Sequence, residues 1–108
     1  MVPFSDALSI GRRVDGTRAE LTVSGELDHY SAPALLEAVE GLRERNVAHT
    51  VIDMAGVSFV DSAGLRALLL ARGRGADGAS AVRFVNVSRN VQRLFDMTGL
   101  RTVLLGDD

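Results

Sequence analysis

The sequence of 108 residues predicts an α/β fold, in which an antiparallel hairpin opens a mixed β-sheet and three or four helices pack on that sheet. Two early stretches alternate apolar and polar residues and flank Asp15-Gly16, which is a signal for a hairpin turn. Later stretches with apolar residues at helical spacing alternate with short apolar runs. A chain of this length holds one modest core, so we expect a single domain over residues 1–108 with its core at about residues 8–105.

The first half of the chain is predicted to contain the hairpin and the first helix. The apolar residues that alternate along its two strands are Leu8, Ile10 and Val14, then Ala19, Leu21 and Val23. Ser31 is the predicted N-cap of the first helix, which has Pro33 in its first turn and ends near Glu44. The apolar stripe of this helix consists of Ala32, Leu35, Leu36, Val39 and Leu42.

A third strand and a second helix are predicted next. Residues 50–52 form a short apolar run with β-branched residues that ends at Asp53, as is typical of a central strand covered on both faces. A loop with Gly56 then leads to a second helix, which begins near Ser62 and ends near Arg74.

The last part of the chain is predicted to contribute a strand at residues 82–85 and a third helix. Ser88 is the predicted N-cap of this helix, and Gly99 is the residue that ends it. Residues 103–105, Val-Leu-Leu, are predicted to add a short edge strand.

The composition excludes several classes of function. The chain has 12 basic and 14 acidic residues, a net charge of −2, and its basic residues are scattered, so nucleic-acid binding is not expected. Cysteine is absent, which excludes disulfides, thiolate zinc sites and a cysteine nucleophile. All basic residues are arginine, which excludes a P-loop lysine, a Schiff base and the lysine of a receiver domain. Residues 1–6 do not resemble a secretory signal and no run is long enough to span a membrane, so we expect a soluble cytoplasmic protein.

Four features resemble chemical sites but lie in the wrong context. Residues 73–78 match G-x-G-x-x-G, but they follow a helix and precede a strand, so they predict a turn and not a dinucleotide site. His29 and His49 lack metal-ligand spacing. Ser62 lacks the G-x-S-x-G pattern of a hydrolase nucleophile. Asp53 ends a strand as a receiver aspartate does, but a receiver domain does not begin with a hairpin.

The segment Asp61-Ser62-Ala63-Gly64-Leu65 lies between a loop and a predicted helix. Its residue types indicate a helix start with Asp61 or Ser62 as the N-cap and with Gly64 allowing a close approach. An exposed serine at a helix start is also within reach of a kinase, and free backbone N–H groups and the helix dipole accommodate the added phosphate. The segment therefore has two interpretations, a structural cap and a phosphorylation site.

Three segments carry a resemblance to a known family. Residues 57–65, Val-Ser-Phe-Val-Asp-Ser-Ala-Gly-Leu, resemble the phosphorylation motif of the bacterial STAS-domain anti-sigma factor antagonists. Residues 25–29, Gly-Glu-Leu-Asp-His, resemble the segment before the first helix of that family. Residues 93–100, Arg-Leu-Phe-Asp-Met-Thr-Gly-Leu, resemble the segment in and after its third helix. The segments occur in the family's order, and the similarity extends over residues 8–105.

The resemblance implies roles for particular residues. It makes Ser62 the phospho-acceptor and places Asp28 nearby, where Asp28 helps partner binding or phosphorylation. A turn or capping role is the alternative for Asp28. Many members carry a second hydroxyl residue directly after the acceptor, whereas this chain has Ala63 there. Ser62 is therefore the only hydroxyl residue of the segment 61–65 that could accept the phosphate. The partner-binding surface implied in this way consists of Asp28, Asp61, Ser62, Ala63 and Gly64.

The resemblance also implies a mechanism. The unphosphorylated protein would bind an anti-sigma factor that is also a serine kinase and release the sigma factor, phosphorylation would end this binding, and a serine phosphatase would restore it. ATP belongs to the kinase, so no cofactor, metal or catalytic site is expected in this chain. The alternatives are a STAS interaction module within a larger signalling complex or lipid-transport assembly, and an enzyme, for which the sequence offers no site. The residues favour neither a monomer nor a dimer.

Overall fold

The computed structural model describes residues 8–74 and 81–106. Its strands are β1 (Leu8–Asp15), β2 (Arg18–Leu27), β3 (His49–Val60) and β4 (Ala81–Val85). Its helices are α1 (Ala32–Glu44), α2 (Ser62–Arg74), α3 (Arg89–Thr98) and α4 (Arg101–Leu105). The predicted mixed α/β fold and its opening hairpin are confirmed. Of the turn expected at residues 73–78, the first two residues belong to α2, and residues 75–78, like the amino-terminal segment 1–6, lie outside the described residues. Within the two described ranges, no helix has the length and apolar character needed to cross a membrane.

The strands form one sheet in the order β1-β2-β3-β4. β1 and β2 are antiparallel and close around Gly16, whose φ of 63° suits the tight turn that the sequence predicted. β2, β3 and β4 run parallel, and Leu27 at the end of β2 lies opposite Val60 at the end of β3. Since both strands end at the same edge of the sheet, the loops that follow them lie side by side.

The hydrophobic core lies between one face of the sheet and the helices. Along β3, Ile52 and Met54 are buried, whereas Val51 and Asp53 on the other face are only half-buried. β3 lies between β2 and β4 and is therefore central in the sheet, as predicted. The helices cover only one of its faces, so the prediction of burial on both faces was wrong. The helical residues that complete this core include Leu35, Leu42, Leu68, Val91, Phe95 and Leu104.

The third strand is longer than the sequence predicted, because the expected loop around Gly56 belongs to β3. Gly56 pairs with Ser24, and a Cβ atom at Gly56 would lie 2.5 Å from the Ser24 Cβ. The pairing of β2 and β3 shifts register on either side of this contact. Glycine thus permits a close approach of two strands here and does not end the strand.

Residues 103–105 form part of α4, so the predicted edge strand was wrong. The helix turns Leu104 into the core with 1% exposure and leaves Val103 51% exposed. The Arg72 side chain secures α4, since its Nε donates to the Val103 carbonyl oxygen at 3.2 Å and its Nη1 donates to the Val82 carbonyl oxygen at 3.0 Å. An apolar run of three residues has no distinguishable period, which is why its sequence fitted a strand equally well.

Candidate functional site

Asp61 is the N-cap of α2 and fixes the geometry of residues 61–64, which we call the acceptor turn. Its Oδ1 accepts the Gly64 N–H at 2.8 Å, and its own N–H donates to the Leu27 carbonyl oxygen at 3.1 Å. Of the two caps that the sequence allowed, Asp61 is thus the one that the structure shows. Ser62 is the first residue of α2 and is exposed, while Ala63 beside it is half-buried.

Gly64 lets the acceptor turn pack directly on the end of β2. A Cβ atom at Gly64 would overlap the Leu27 carbonyl oxygen and would lie 2.9 Å from the Leu27 Cγ. The predicted close approach at Gly64 is therefore confirmed. Gly64 is itself buried in this contact, so its structural role is to shape the turn.

Asp28 caps the start of α1, within residues 28–31, which we call the β2–α1 loop. Its Oδ1 accepts the N–H groups of Tyr30 and Ser31, both at 3.0 Å. In return, the Ser31 Oγ accepts the Asp28 N–H at 2.9 Å, and the Ser31 hydroxyl donates to the Glu26 carbonyl oxygen at 2.8 Å. This reciprocal arrangement is a capping box. Ser31 occupies the N-cap position directly before α1, as predicted, but its side chain makes no cap bond to the helix, and the Asp28 carboxylate supplies the capping oxygen instead.

The hydrogen bonds of the β2–α1 loop hold Asp28 in its charged form. They lower the pKa of the Asp28 carboxyl below its usual value, chiefly through the backbone N–H of Ser31, with smaller contributions from the Ser31 hydroxyl and the Tyr30 N–H. The hydrogen bonds that the Tyr30 and Ser31 N–H groups donate to the Asp28 Oδ1 confirm the turn and capping role that the sequence left as an alternative for Asp28. Any contribution of Asp28 to partner binding or phosphorylation acts from this structural position.

The Asp61 carboxylate joins the acceptor turn to the β2–α1 loop. While its Oδ1 caps α2, its Oδ2 accepts the His29 N–H at 3.2 Å. The loop that carries Asp28 therefore lies directly beside the turn that carries Ser62, as the parallel pairing of β2 and β3 requires. This contact of His29 could not be predicted from the sequence, because a backbone N–H has no signature in the residue type.

Tyr30 is an exposed residue of the site that the sequence analysis missed. It is 78% exposed, and its ring meets the His29 ring edge to face with centroids 5.3 Å apart. Its backbone is fixed by Asp28, so the aromatic ring stands on an ordered loop next to the acceptor turn. The signal available in the sequence was an aromatic residue within a polar segment that precedes a predicted helix.

The site suits a covalent modification that changes charge. Ser62 is exposed at the first helical position, where backbone N–H groups precede the first helical hydrogen bond, which the Leu65 N–H donates to the Asp61 carbonyl oxygen. The Asp61 carboxylate lies next in the chain and is already engaged by two N–H groups. A phosphate on Ser62 would thus join an existing negative charge on one small surface.

Comparison with known proteins supports a single family. A family model described as "Mlab, STAS domain" matches residues 10–106. An anti-sigma-B factor antagonist of Staphylococcus epidermidis is 32% identical over 85 residues, which are 79% of each chain. An anti-sigma factor antagonist from Mycobacterium paratuberculosis superposes with a TM-score of 0.75 at 24% identity, covering 95% of this chain and 87% of the other.

The Bacillus cell fate determinant SpoIIAA, an anti-sigma factor antagonist, has the same fold in two solved states. Its unphosphorylated form gives a TM-score of 0.74 at 19% identity, covering 90% of this chain and 86% of the other. Its phosphorylated form gives 0.69 at 18% identity, covering 90% and 89%. The chain with its capped acceptor turn therefore belongs to the STAS-domain family of anti-sigma factor antagonists. Members of this class are regulatory binding proteins and not enzymes.

Proposed function

We propose that this protein binds an anti-sigma factor that is also a serine kinase, and that phosphorylation of Ser62 by this kinase ends the binding. The observation that carries the proposal is the exposed Ser62 hydroxyl at the start of α2, beside a carboxylate and an ordered loop on one surface. Ala63 follows Ser62, so no second hydroxyl in the turn competes for the phosphate. A serine phosphatase would restore the binding form.

The proposed switch works through charge and hydration. A phosphoserine carries about 1.5 to 2 negative charges at neutral pH. In a complex this charge would stand beside Asp61 and would lose its hydration shell, and both effects oppose association. Asp61 remains in place because Gly64 and His29 hold its two oxygens, so the turn does not rotate its carboxylate away from the phosphate.

The first experiment identifies the kinase and the acceptor. The unphosphorylated protein is immobilised on a column to capture its partner from the source bacterium, and a second column that carries the Ser62→Asp variant serves as the matched control. The partner is identified by mass spectrometry, purified and incubated with the protein and ATP. We expect a kinase-type anti-sigma factor on the first column, one phosphate on Ser62, and none on Ser62→Ala.

Ser58 provides the matched control for the acceptor assignment. It is an exposed serine four residues before Ser62, but its Oγ donates to the Gly25 carbonyl oxygen at 3.3 Å. Ser58→Ala should accept phosphate as the natural chain does. Phosphate found on Ser58 or on any residue other than Ser62 would contradict the proposal.

A second candidate function is a STAS interaction module in a larger signalling complex or lipid-transport assembly. It is favoured by the description of the matching family model, which names a STAS domain without a sigma factor. A transporter ATPase as the captured protein, with no kinase and no phosphate on Ser62, would support this second function over the first.

A further inference from the structure

The third family-like segment, residues 93–100, contains residues that the fold uses and residues that it does not. Phe95 is fully buried, and Gly99 ends α3 with a φ of 74°. Arg93 is exposed and Met97 is 78% exposed, although a buried position would suit the methionine side chain better. These two residues lie one turn apart on α3 and therefore share one side of the helix.

Arg93 and Met97 form one wall of a groove that runs between α3 and the end of β3, which we call the α3 groove. It encloses about 240 Å³, and its walls include Phe59, Val60, Val91, Leu94, Arg93 and Met97. Phe59 is 51% exposed and lies three residues before Ser62. The α3 groove is smaller than sites for small molecules, which enclose about 300 to 1,000 Å³, and it is open along the surface, so its size suits side chains of a protein partner.

We propose that the α3 groove receives an apolar side chain of the anti-sigma factor and that a carboxylate beside this side chain pairs with Arg93. This inference rests on the proposed function and extends the partner surface beyond the acceptor turn. Phe59 and Val60 in the groove wall directly precede Asp61 and Ser62 in the chain, so the groove lies close to the acceptor turn. Met97 has an unbranched, polarisable side chain that adapts to the shape of an inserted group.

Charge complementarity identifies the charged group of the partner, a carboxylate that pairs with Arg93. Arg93 is the only charged residue among the described residues that line the groove. Arg89 lies one turn earlier on α3, so two like charges are neighbours on the helix, and an acidic partner relieves their repulsion. The acidic residue next to the groove, Asp96, is already paired with Arg101 at 3.3 Å. A partner segment with an apolar residue followed or preceded by Asp or Glu therefore fits both the apolar walls and the cation.

The test measures the affinity of groove variants for the purified anti-sigma factor kinase identified above. We expect Met97→Ala to weaken binding about tenfold, as for an anchor residue of an interface. Arg93→Gln should slow association and reduce its dependence on salt, and Arg93→Glu should weaken binding further because it faces like charge. Far-UV circular dichroism of each variant checks that it is folded.

Two exposed residues outside the groove provide matched controls. Val103→Ala removes an exposed apolar side chain from α4, and Arg83→Gln removes an exposed cation from β4. Both should bind as the natural chain does. If Met97→Ala and Arg93→Gln also bind normally while Ser62→Asp does not, the groove proposal is wrong and the proposed function stands. If the natural chain does not bind the kinase at all, both proposals fail.

Discussion

Replacing Gly64 with alanine tests the contact on which the acceptor turn is built. The new Cβ would overlap the Leu27 carbonyl oxygen and lie 2.9 Å from the Leu27 Cγ. Leu27 has no room to retreat, because it is fully buried and its carbonyl oxygen accepts the Asp61 N–H. Overpacking of this kind costs about 3 kcal/mol, and the higher helix propensity of alanine offsets about 1 kcal/mol. We therefore expect Gly64→Ala to lower the free energy of unfolding by about 2 kcal/mol and the melting temperature by about 8 °C.

Gly41→Ala is the matched control for this prediction. Gly41 lies inside α1, and apart from the neighbouring backbone of its own helix a Cβ atom there would meet nothing within 4 Å. This substitution should therefore raise the free energy of unfolding by about 1 kcal/mol. The chain has no tryptophan and one tyrosine, so urea titration is followed by far-UV circular dichroism. A Gly64→Ala variant as stable as the natural chain would refute the close approach at Leu27.

Three further predictions concern polar contacts beyond the acceptor turn. Asp28→Ala should lower the melting temperature at neutral pH, because the N–H groups of Tyr30 and Ser31 lose their acceptor; an unchanged melting temperature would contradict the capping role. Since the native fold lowers the Asp28 pKa from 3.8, its stabilising effect is present above that pH and is lost as the pH falls through the lower native value. Urea titrations at decreasing pH should show this loss of unfolding free energy in the natural chain and not in the Asp28→Ala variant. Arg72→Leu should cost about 2 kcal/mol, because two carbonyl groups lose a charged donor. Amide hydrogen exchange in the Arg72→Leu variant should be faster than in the natural chain, most of all in α4. An unchanged exchange rate in α4 would show that Arg72 does not hold this helix.

Most of the fold could be predicted because local signals and tertiary packing agree. Asp15-Gly16 set the hairpin, and the spacing of Leu35, Val39 and Leu42 set α1. The failures lie where one local signal fits two structures. Gly56 indicates either a loop or a close contact between strands, and only the position of Ser24 decides between them.

The candidate site could be predicted only in part. The resemblance located Ser62 and the segment with Asp28, and the parallel strands bring these segments together. The sequence predicted the Ser31 side chain as the cap of α1, whereas the Asp28 carboxylate supplies it. This difference depends on backbone angles, since Ser31 is itself in a helical conformation and its hydroxyl donates to the Glu26 carbonyl oxygen. The contact from the His29 N–H to Asp61 spans 32 residues and depends on the register of two strands, which residue types alone do not determine.

The most direct test of the central claim compares the affinity of one protein in two states. The natural chain is phosphorylated by the identified kinase, one phosphate on Ser62 is verified by mass spectrometry, and both states are titrated against the anti-sigma factor without ATP. Like charges placed together in an interface cost several kcal/mol, so we expect the phosphorylated state to bind about 100-fold more weakly. Ser62→Ala treated with kinase and ATP should bind as tightly as the unphosphorylated chain. Equal affinities for the phosphorylated and unphosphorylated states would contradict the account.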